Sequence, residues 1–460
     1  MGASLETTLS QNDAVGDEAH PRSGGHPACR RGPASCRPEG APPFSAPVES
    51  CDAVSAGLEA TALRQAGCLP LQPRAAVAGC GAICATGAGI EPLADALRDN
   101  RSALRSREAF AGKRYQTTVA GWVPEETIAH LATRDPEHSD ARAFLMADAA
   151  LREAGKNLPT VAAERRALVL STTKADILAM ERIFHRQPCS RTAHRHILPR
   201  LLADDLAAAH QVRGPVQCVS AACISGLLAL QQGASLIERG TADVVLVAGV
   251  DLVSHFVLAG FTSLKSLDAE GCRPFDSRRT GLSLGEGAGA VALVRRDLLP
   301  SPVWTIAGWG SSNDANHLTG PSRDGSGLAL AINRALQRAV VEPSGIDYLH
   351  AHGTGTPYND NMESLALRTV FGENVPPCSS SKGIFGHTLG AAGVLETILC
   401  LLAAHSNTLP GTPRLLERDP VAPPSMLLQP QPAARLRCML KINSGFAGAN
   451  AALVLQREAK

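Results

Sequence analysis

From Arg74 onward the chain alternates short apolar runs with longer amphipathic stretches, and glycine-rich turns separate them. The runs at 75–78, 167–170, 244–248, 290–294, 303–307, 346–351 and 451–455 read as buried strands. The stretches at 144–154, 225–239, 327–340 and 393–404 read as helices. Strands that alternate with helices predict an α/β layered fold. At 460 residues the chain exceeds one ordinary domain and suits two half-domains, each with its own core.

Internal repetition points the same way. Val77-Ala78-Gly79-Cys80-Gly81 resembles Ile306-Ala307-Gly308-Trp309-Gly310, an offset of 229. Cys218-Val219-Ser220 resembles Cys378-Ser379-Ser380, an offset of 160. The offsets disagree, so a repeat requires a large insertion in the first half. That half also holds a basic stretch, 182–200, with His185, Cys189, His194 and His196. It reads as a solvated or interfacial insertion, because no ligand count or spacing specifies a metal site.

Residues 1–74 differ in texture, with nine prolines, eight glycines and one aromatic, Phe44. Such a segment buries too little apolar surface to offset its ordering entropy. It reads as a disordered extension, or as sequence ahead of the true start. Its four cysteines, Cys29, Cys36, Cys51 and Cys68, lack CxxC spacing. The N-terminus lacks the basic and apolar regions of a signal peptide, and no apolar run is judged to reach the roughly 18 residues of a membrane helix. With 13 cysteines in no dense framework, a reducing cytoplasm is the expected location. A formal net charge of +1 and 3% aromatics argue against a nucleic-acid or membrane partner.

Four segments carry chemistry. Ser220-Ala221-Ala222-Cys223-Ile224-Ser225-Gly226 sets one cysteine among small residues where a strand passes into a helix. A helix N-terminus favours the thiolate there, although a buried inert thiol is the commoner fate. Leu349-His350-Ala351-His352-Gly353-Thr354-Gly355-Thr356-Pro357 ends an apolar run in histidine, then hydroxyls able to hold a long polar ligand. Its HxH pair lacks an evident third metal ligand. Lys382, one of seven lysines, and His387 lie in a run of small and apolar residues that leads into a helix carrying Glu396. Lys382 and Glu396 could form a structural ion pair or tune a site. Asn443-Ser444-Gly445-Phe446-Ala447-Gly448-Ala449-Asn450 could turn backbone N–H groups toward a reacting centre. One thiol, two histidines and a lysine together fit covalent thioester chemistry.

With these segments in this order, the sequence resembles the β-ketoacyl-[acyl-carrier-protein] synthases, condensing enzymes of the thiolase-like superfamily, and most of all their elongating type. The resemblance also takes in Arg273-Pro274-Phe275-Asp276 and Gly285-Glu286-Gly287-Ala288-Gly289, and runs from about 75 to 455. It implies an α/β thiolase-like fold of two pseudo-repeated halves, 75–300 with the nucleophile and 301–460 with the His/Lys residues, in an αβαβα core. It implies that Cys223 takes an acyl chain from acyl carrier protein, and that malonyl carrier protein then loses CO2 and condenses with it. His352 and His387 would stabilise the enolate-like oxygen, with Lys382 and its partner Glu396 tuning the site. Asp360 and Glu363 would support the histidine loop, and Thr319, Thr354 and Thr356 would bind the phosphopantetheine arm. The Cys223 N–H and an amide of the 444–446 turn, which includes Gly445 and Phe446, would form an oxyanion hole.

No metal or resident cofactor is implied, since phosphopantetheine arrives on the carrier. A homodimer, or a heterodimer with a related ketosynthase subunit, is expected, and Arg273, Arg278 and Arg279 are candidate docking residues for the acidic carrier. The 443–450 turn is one residue shorter than the family's NSFGFGGTN and lacks its first phenylalanine, which implies altered acyl gating. A chain-length-factor-like subunit that only shapes a partner's pocket is the alternative, and Cys223 counts against it.

Overall fold

The computed structural model describes residues 74–112, 115–300, 303–433 and 435–458. The extension expected at 1–74 lies outside them but for Arg74. Ten strands build the main sheet: β1 Ala75–Cys84, β2 Arg166–Ser171, β3 Val216–Val219, β4 Val244–Asp251, β5 Gly287–Arg295, β6 Trp304–Asn313, β7 Tyr348–His350, β8 Cys378–Ser379, β9 Cys438–Gly445 and β10 Ala449–Arg457. The two-residue strand Gly87–Ala88 pairs onto β1 as an eleventh. Seven helices matter below: α1 Arg142–Ala154, α2 Pro199–Ala209, α3 Ser225–Glu238, α4 His255–Ser263, α5 Ser326–Ala339, α6 Pro357–Phe371 and α7 Ala392–Ser406.

The strand order is β3-β2-β4-β5-β1 followed by β6-β10-β9-β7-β8. Read from its outer edge inward, the second five repeat the order of the first. Directions repeat as well. β2 is parallel to β3 and β4, β4 is antiparallel to β5, and β5 to β1. β7 is parallel to β8 and β9, β9 is antiparallel to β10, and β10 to β6. A short pairing of Ala75 and Ala76 with Ile306 and Thr305 joins the halves.

Helices α1 and α2 cover one half-sheet, α5 packs on the other with α6 against it, and α3 and α7 lie between the two. The result is a five-layer αβαβα stack of the thiolase-like kind. Because each half-sheet is covered on both sides, strand residues are apolar throughout instead of alternating. On β4, Val245 and Val247 face the central helices, while Leu246, Ala248 and Val250 face α1 and α2.

The two repeat fragments fall on equivalent strands, the 229 offset on β1 and β6 and the 160 offset on β3 and β8. Most of the intervening extra length lies between β1 and β2, 82 positions from Cys84 to Arg166 against 35 from Asn313 to Tyr348, and much of the rest between β2 and β3, 45 from Ser171 to Val216 against 28 from His350 to Cys378. The glycines in the first fragment have a packing reason. A Cβ on Gly79 or Gly81 would sit 2.2 or 2.1 Å from the Ala154 and Ala150 carbonyls of α1. On Gly308 and Gly310 it would sit 2.3 and 2.2 Å from the Ala335 and Ala331 carbonyls of α5. Each half therefore seats a helix directly on strand backbone.

One expectation needs correction. The window Leu389–Ser406 does reach 18 residues, with mean hydropathy 1.6. It is 78% buried, because α7 serves as a core helix between two sheets and is therefore apolar all round.

Candidate active site

Cys223 follows a sharp backbone elbow. Ala222 has φ 48°, a left-handed conformation that a non-glycine residue adopts only under constraint. The Ser225 hydroxyl holds it by donating to the Ala222 carbonyl at 2.6 Å and accepting from the Ala221 amide at 2.8 Å. The helix that follows, α3, crosses α7 near both N-termini. A Cβ on Gly226 would lie 2.8 Å from the Gly393 amide, and one on Gly393 would lie 2.4 Å from the Leu227 amide. This backbone-to-backbone crossing carries the loop before α7 over the cysteine.

That loop delivers His387, whose Nε2 is 2.9 Å from Cys223 Sγ. His352 follows β7, and its ring meets that of His387 edge to face with centroids 5.1 Å apart. One ligand-type atom from each of Cys223, His352 and His387 lies within 4.8 Å of the others. The expected convergence of thiol and imidazoles is therefore present. His350 is not part of it; its Nδ1 is 3.0 Å from the Ala351 carbonyl.

Behind His352 lies a buried polar cluster. Lys382 Nζ is 2.5 Å from Glu396 Oε1, 2.8 Å from the His352 carbonyl and 3.3 Å from His352 Nδ1. Asn443 Nδ2 is 2.7 Å from the same Nδ1 and 3.0 Å from Glu396 Oε2. An ammonium and an amide NH2 are donors only, so Nδ1 accepts and the His352 proton resides on Nε2. Burial and the Lys382 charge hold both imidazoles well below the usual histidine range, so both are neutral. The Glu396 carboxyl, although buried, is held low by Lys382 and a second lysine, Lys441, whose Nζ is 2.9 Å from Oε2.

Sequence reasoning did not single out Lys441 or the Asn443 side chain. A lysine inside the run Met439-Leu440-Lys441-Ile442 was the available signal. The same trio could hold a metal by distance alone, but two ammonium groups share one carboxylate here, and the surplus positive charge favours an anion over a divalent cation.

Burial pushes the Cys223 thiol up to about 11, while Lys382, Lys174 and a hydrogen bond from the Phe446 amide pull it down. The expectation of a helix-favoured thiolate is thus corrected: burial outweighs the favourable charges, and the resting group is a thiol. Gly445 packs close against the cysteine elbow, since a Cβ there would lie 3.1 Å from the Cys223 amide nitrogen. The Phe446 ring packs on Phe261 of α4 with centroids 5.8 Å apart, and its amide is the part that reaches Sγ.

Glu363 and Asp360, both on α6, hold the loop after β7. Glu363 accepts from the His352 amide at 2.5 Å and the Gly353 amide at 2.8 Å. Asp360 accepts from the Thr354, Gly355 and Phe275 amides at 3.1, 3.3 and 2.8 Å. The Thr354 and Thr356 hydroxyls pair at 2.9 Å beside that loop. Thr319 is exposed, next to Leu318, whose carbonyl accepts from the Ala447 amide at 2.7 Å.

Two of the expected docking arginines are occupied. Arg279 is buried, bonding Asp419 and Asn361 at 2.6 Å each, and Arg273 pairs with Glu270. Their charges are spent on loop carboxylates and amides; Arg278 alone keeps a half-exposed side chain, paired to Asp276. In the basic 182–200 stretch, His196 is fully buried against Asp205 at 2.9 Å, and no metal-type group of histidines and cysteines forms there among the described residues.

Comparison with known proteins agrees with this geometry. Family models described as "Beta-ketoacyl synthase, N-terminal domain" and "Beta-ketoacyl synthase, C-terminal domain" match residues 72–298 and 303–415. The tetracenomycin polyketide synthase ketoacyl synthase alpha subunit of Streptomyces glaucescens is 30% identical over 84% of this chain and 97% of its own length. The 3-oxoacyl-[acyl-carrier-protein] synthase 2 of Rhizobium meliloti (strain 1021) is 35% identical over 56% of this chain and 65% of its own. A chain from the complex of the Xenorhabdus doucetiae ketosynthase ApeO with its chain length factor ApeC superimposes with TM-score 0.73. It is 30% identical, covering 85% of this chain and 99% of that one.

Proposed function

This chain belongs to the β-ketoacyl synthase family, and from that premise we propose that it condenses malonyl-carrier protein with an acyl chain held on Cys223, in fatty-acid or polyketide biosynthesis. The observation that carries this reading is the 2.9 Å contact between Cys223 Sγ and a neutral His387, with His352 alongside.

The thiol gives its proton to His387 Nε2 as sulfur attacks the incoming thioester. The carrier's phosphopantetheine thiol leaves with a proton, and Cys223 holds the acyl group. The Cys223 and Phe446 amides lie at the sulfur, where the acyl oxygen gains charge. Malonyl-carrier protein then binds. Its carboxylate departs as CO2, and the electron pair left behind delocalises onto the thioester oxygen. The Nε2 proton of His352 is placed to stabilise that oxygen as its charge develops, and His387 joins it in the tautomer that carries its proton on Nε2. The resulting carbanion attacks the acyl carbonyl, and collapse expels the cysteine sulfur as a thiolate, which takes up one proton from solvent by way of His387. The product is a 3-oxoacyl chain two carbons longer. Thr354, Thr356 and Thr319 suit the pantetheine arm, and no resident cofactor or metal takes part.

We also propose a dimer, homomeric or with a related ketosynthase subunit, in the cytoplasm. β3 is an edge strand with half-exposed Val216, Gln217 and Val219 and exposed Cys218, whereas the opposite edge, β8, is buried. An open edge with exposed Ile183, Phe184 and Phe256 in the same half suits a partner better than water. All nine cysteines among the described residues are free, which suits a reducing compartment. The intact nucleophile and its histidines favour the catalytic subunit over a chain-length-factor role.

Intact mass spectrometry after incubation with acyl-carrier protein tests the reading. Wild type gains the acyl mass and Cys223→Ala does not; acylation that persists in the variant sinks the assignment.

A further inference from the structure

Lys441 lies on β9, two residues before Asn443, and is fully buried. Every partner of its Nζ is an acceptor: Glu396 Oε2 at 2.9 Å and the carbonyls of Ile442, Ala351 and His350 at 2.6, 3.3 and 3.4 Å. A shell made only of acceptors is that of an ammonium group, which has donors and no lone pair. Burial pulls Lys441 down from the usual lysine range and Glu396 holds it up. Glu396 already has Lys382 on its other oxygen, so with both amines protonated the buried unit of two lysines and one carboxylate carries one net positive charge. Such a charge in a dry interior is costly, and a fold that only needed a neutral ion pair would have one lysine here.

We infer that Lys441 is a positioning residue for condensation: its charge, relayed through Glu396 and Asn443, adds to burial and Lys382 in holding the His352 imidazole neutral, with its Nε2 proton turned to the substrate. The inference rests on the condensing reading above. The geometry runs through three links: Lys441 to Glu396 Oε2, that oxygen to Asn443 Nδ2 at 3.0 Å, and Asn443 to His352 Nδ1 at 2.7 Å. Removing the Lys441 charge leaves Glu396 less neutralised and His352 easier to protonate. A protonated His352 carries a hydrogen on Nδ1, facing the Lys382 ammonium and the Asn443 amide, which breaks both contacts.

The other ionisable groups around Lys441 are His350 on β7, Glu363 on α6, Cys400 on α7, and the catalytic Lys382, His352 and His387. His350 is held down to about 3 by burial and by Lys441 itself, so it is neutral and adds no charge. Glu363 is pushed up to about 7 by burial and titrates near neutrality. The Lys441 charge is one of the influences that hold Glu363 down, so its titration also moves up in the variants; the His352 ring signal reads His352 itself and keeps the two apart.

The test uses Lys441→Met and Lys441→Gln in the full chain, with two readouts. The first is the histidine titration followed by NMR of 13C-histidine-labelled protein, with His352 assigned through His352→Asn. Both variants are expected to raise the pH at which His352 protonates by about one unit or more. The second is the pH profile of malonyl-carrier-protein decarboxylation. Its acid limb moves to higher pH by the same amount, and at pH values on that limb kcat falls about tenfold with KM little changed. Lys441→Gln keeps a polar side chain and covers the case where Lys441→Met does not fold. An unchanged His352 titration in the folded variant overturns the inference. The NMR readout needs no turnover, so it decides on Lys441 even if wild type proves not to condense.

Discussion

Glu363 shows how a single buried side chain ties the site to the stability of the fold. It accepts two loop amides, yet burial, with the nearby Asp360 carboxylate adding to it, pushes its carboxyl up to about 7 from 4.5. A raised acid in the folded state contributes stability that is full below about pH 4.5 and lost as pH rises through about 7. The span corresponds to about 3 kcal/mol. Urea unfolding at pH 5 and pH 8 should therefore show that Glu363→Gln removes a loss of that size between the two; an unchanged slope argues that the carboxyl ionises normally. At this scale the sequence was informative wherever a polar residue stood among small or apolar ones. Cys223, His352, Lys382, His387 and Glu396 were all legible that way. Lys441 carried the same signal and was passed over because its partner, Glu396, lies 45 positions away and already had an evident mate. The protonation state of Cys223 was not legible, because a helix N-terminus is visible in sequence and desolvation is not.

At the scale of elements, the paired glycines of β1 and β6 are exacting packing devices, one pair in each half. Gly79→Ala puts a methyl group 2.2 Å from the Ala154 carbonyl, and Gly308→Ala puts one 2.3 Å from the Ala335 carbonyl. Backbone cannot yield as a flexible side chain can, so each change is expected to cost about 1–3 kcal/mol or more by overpacking. Thermal unfolding measures this, and near-wild-type melting of either variant would contradict the direct seating of helix on strand. The strand and helix stretches read from apolar runs all appear, most of them extended by a few residues, while 346–351 narrows to Tyr348–His350. β8 and β9 escaped notice for different reasons. β8 has two residues, too few for any periodicity, and Lys441 and Asn443 interrupt the apolar run of β9. The two offsets of the sequence repeat become intelligible once both fragments lie on equivalent strands, with the extra length inserted mostly between β1 and β2 and partly between β2 and β3.

For the whole molecule, the open β3 edge makes the proposed assembly testable. Cys218→Lys places a charge on the exposed side of that edge without touching the αβαβα core, and lysine is a residue that protects sheet edges from pairing. Sedimentation equilibrium is expected to show a dimer for wild type and a marked shift toward monomer for the variant. A dimer of unaltered strength would move the interface elsewhere. The amino-acid order determined the layered α/β class, the twofold repetition and the identity of the reacting groups, because apolar spacing and isolated polar residues are local properties. Tertiary structure decided which groups meet, since Cys223 and His387 are 164 positions apart and touch only through the α3–α7 crossing. It also decided their charge states, because a proton's affinity depends on burial and on neighbouring charges that the fold alone brings within reach.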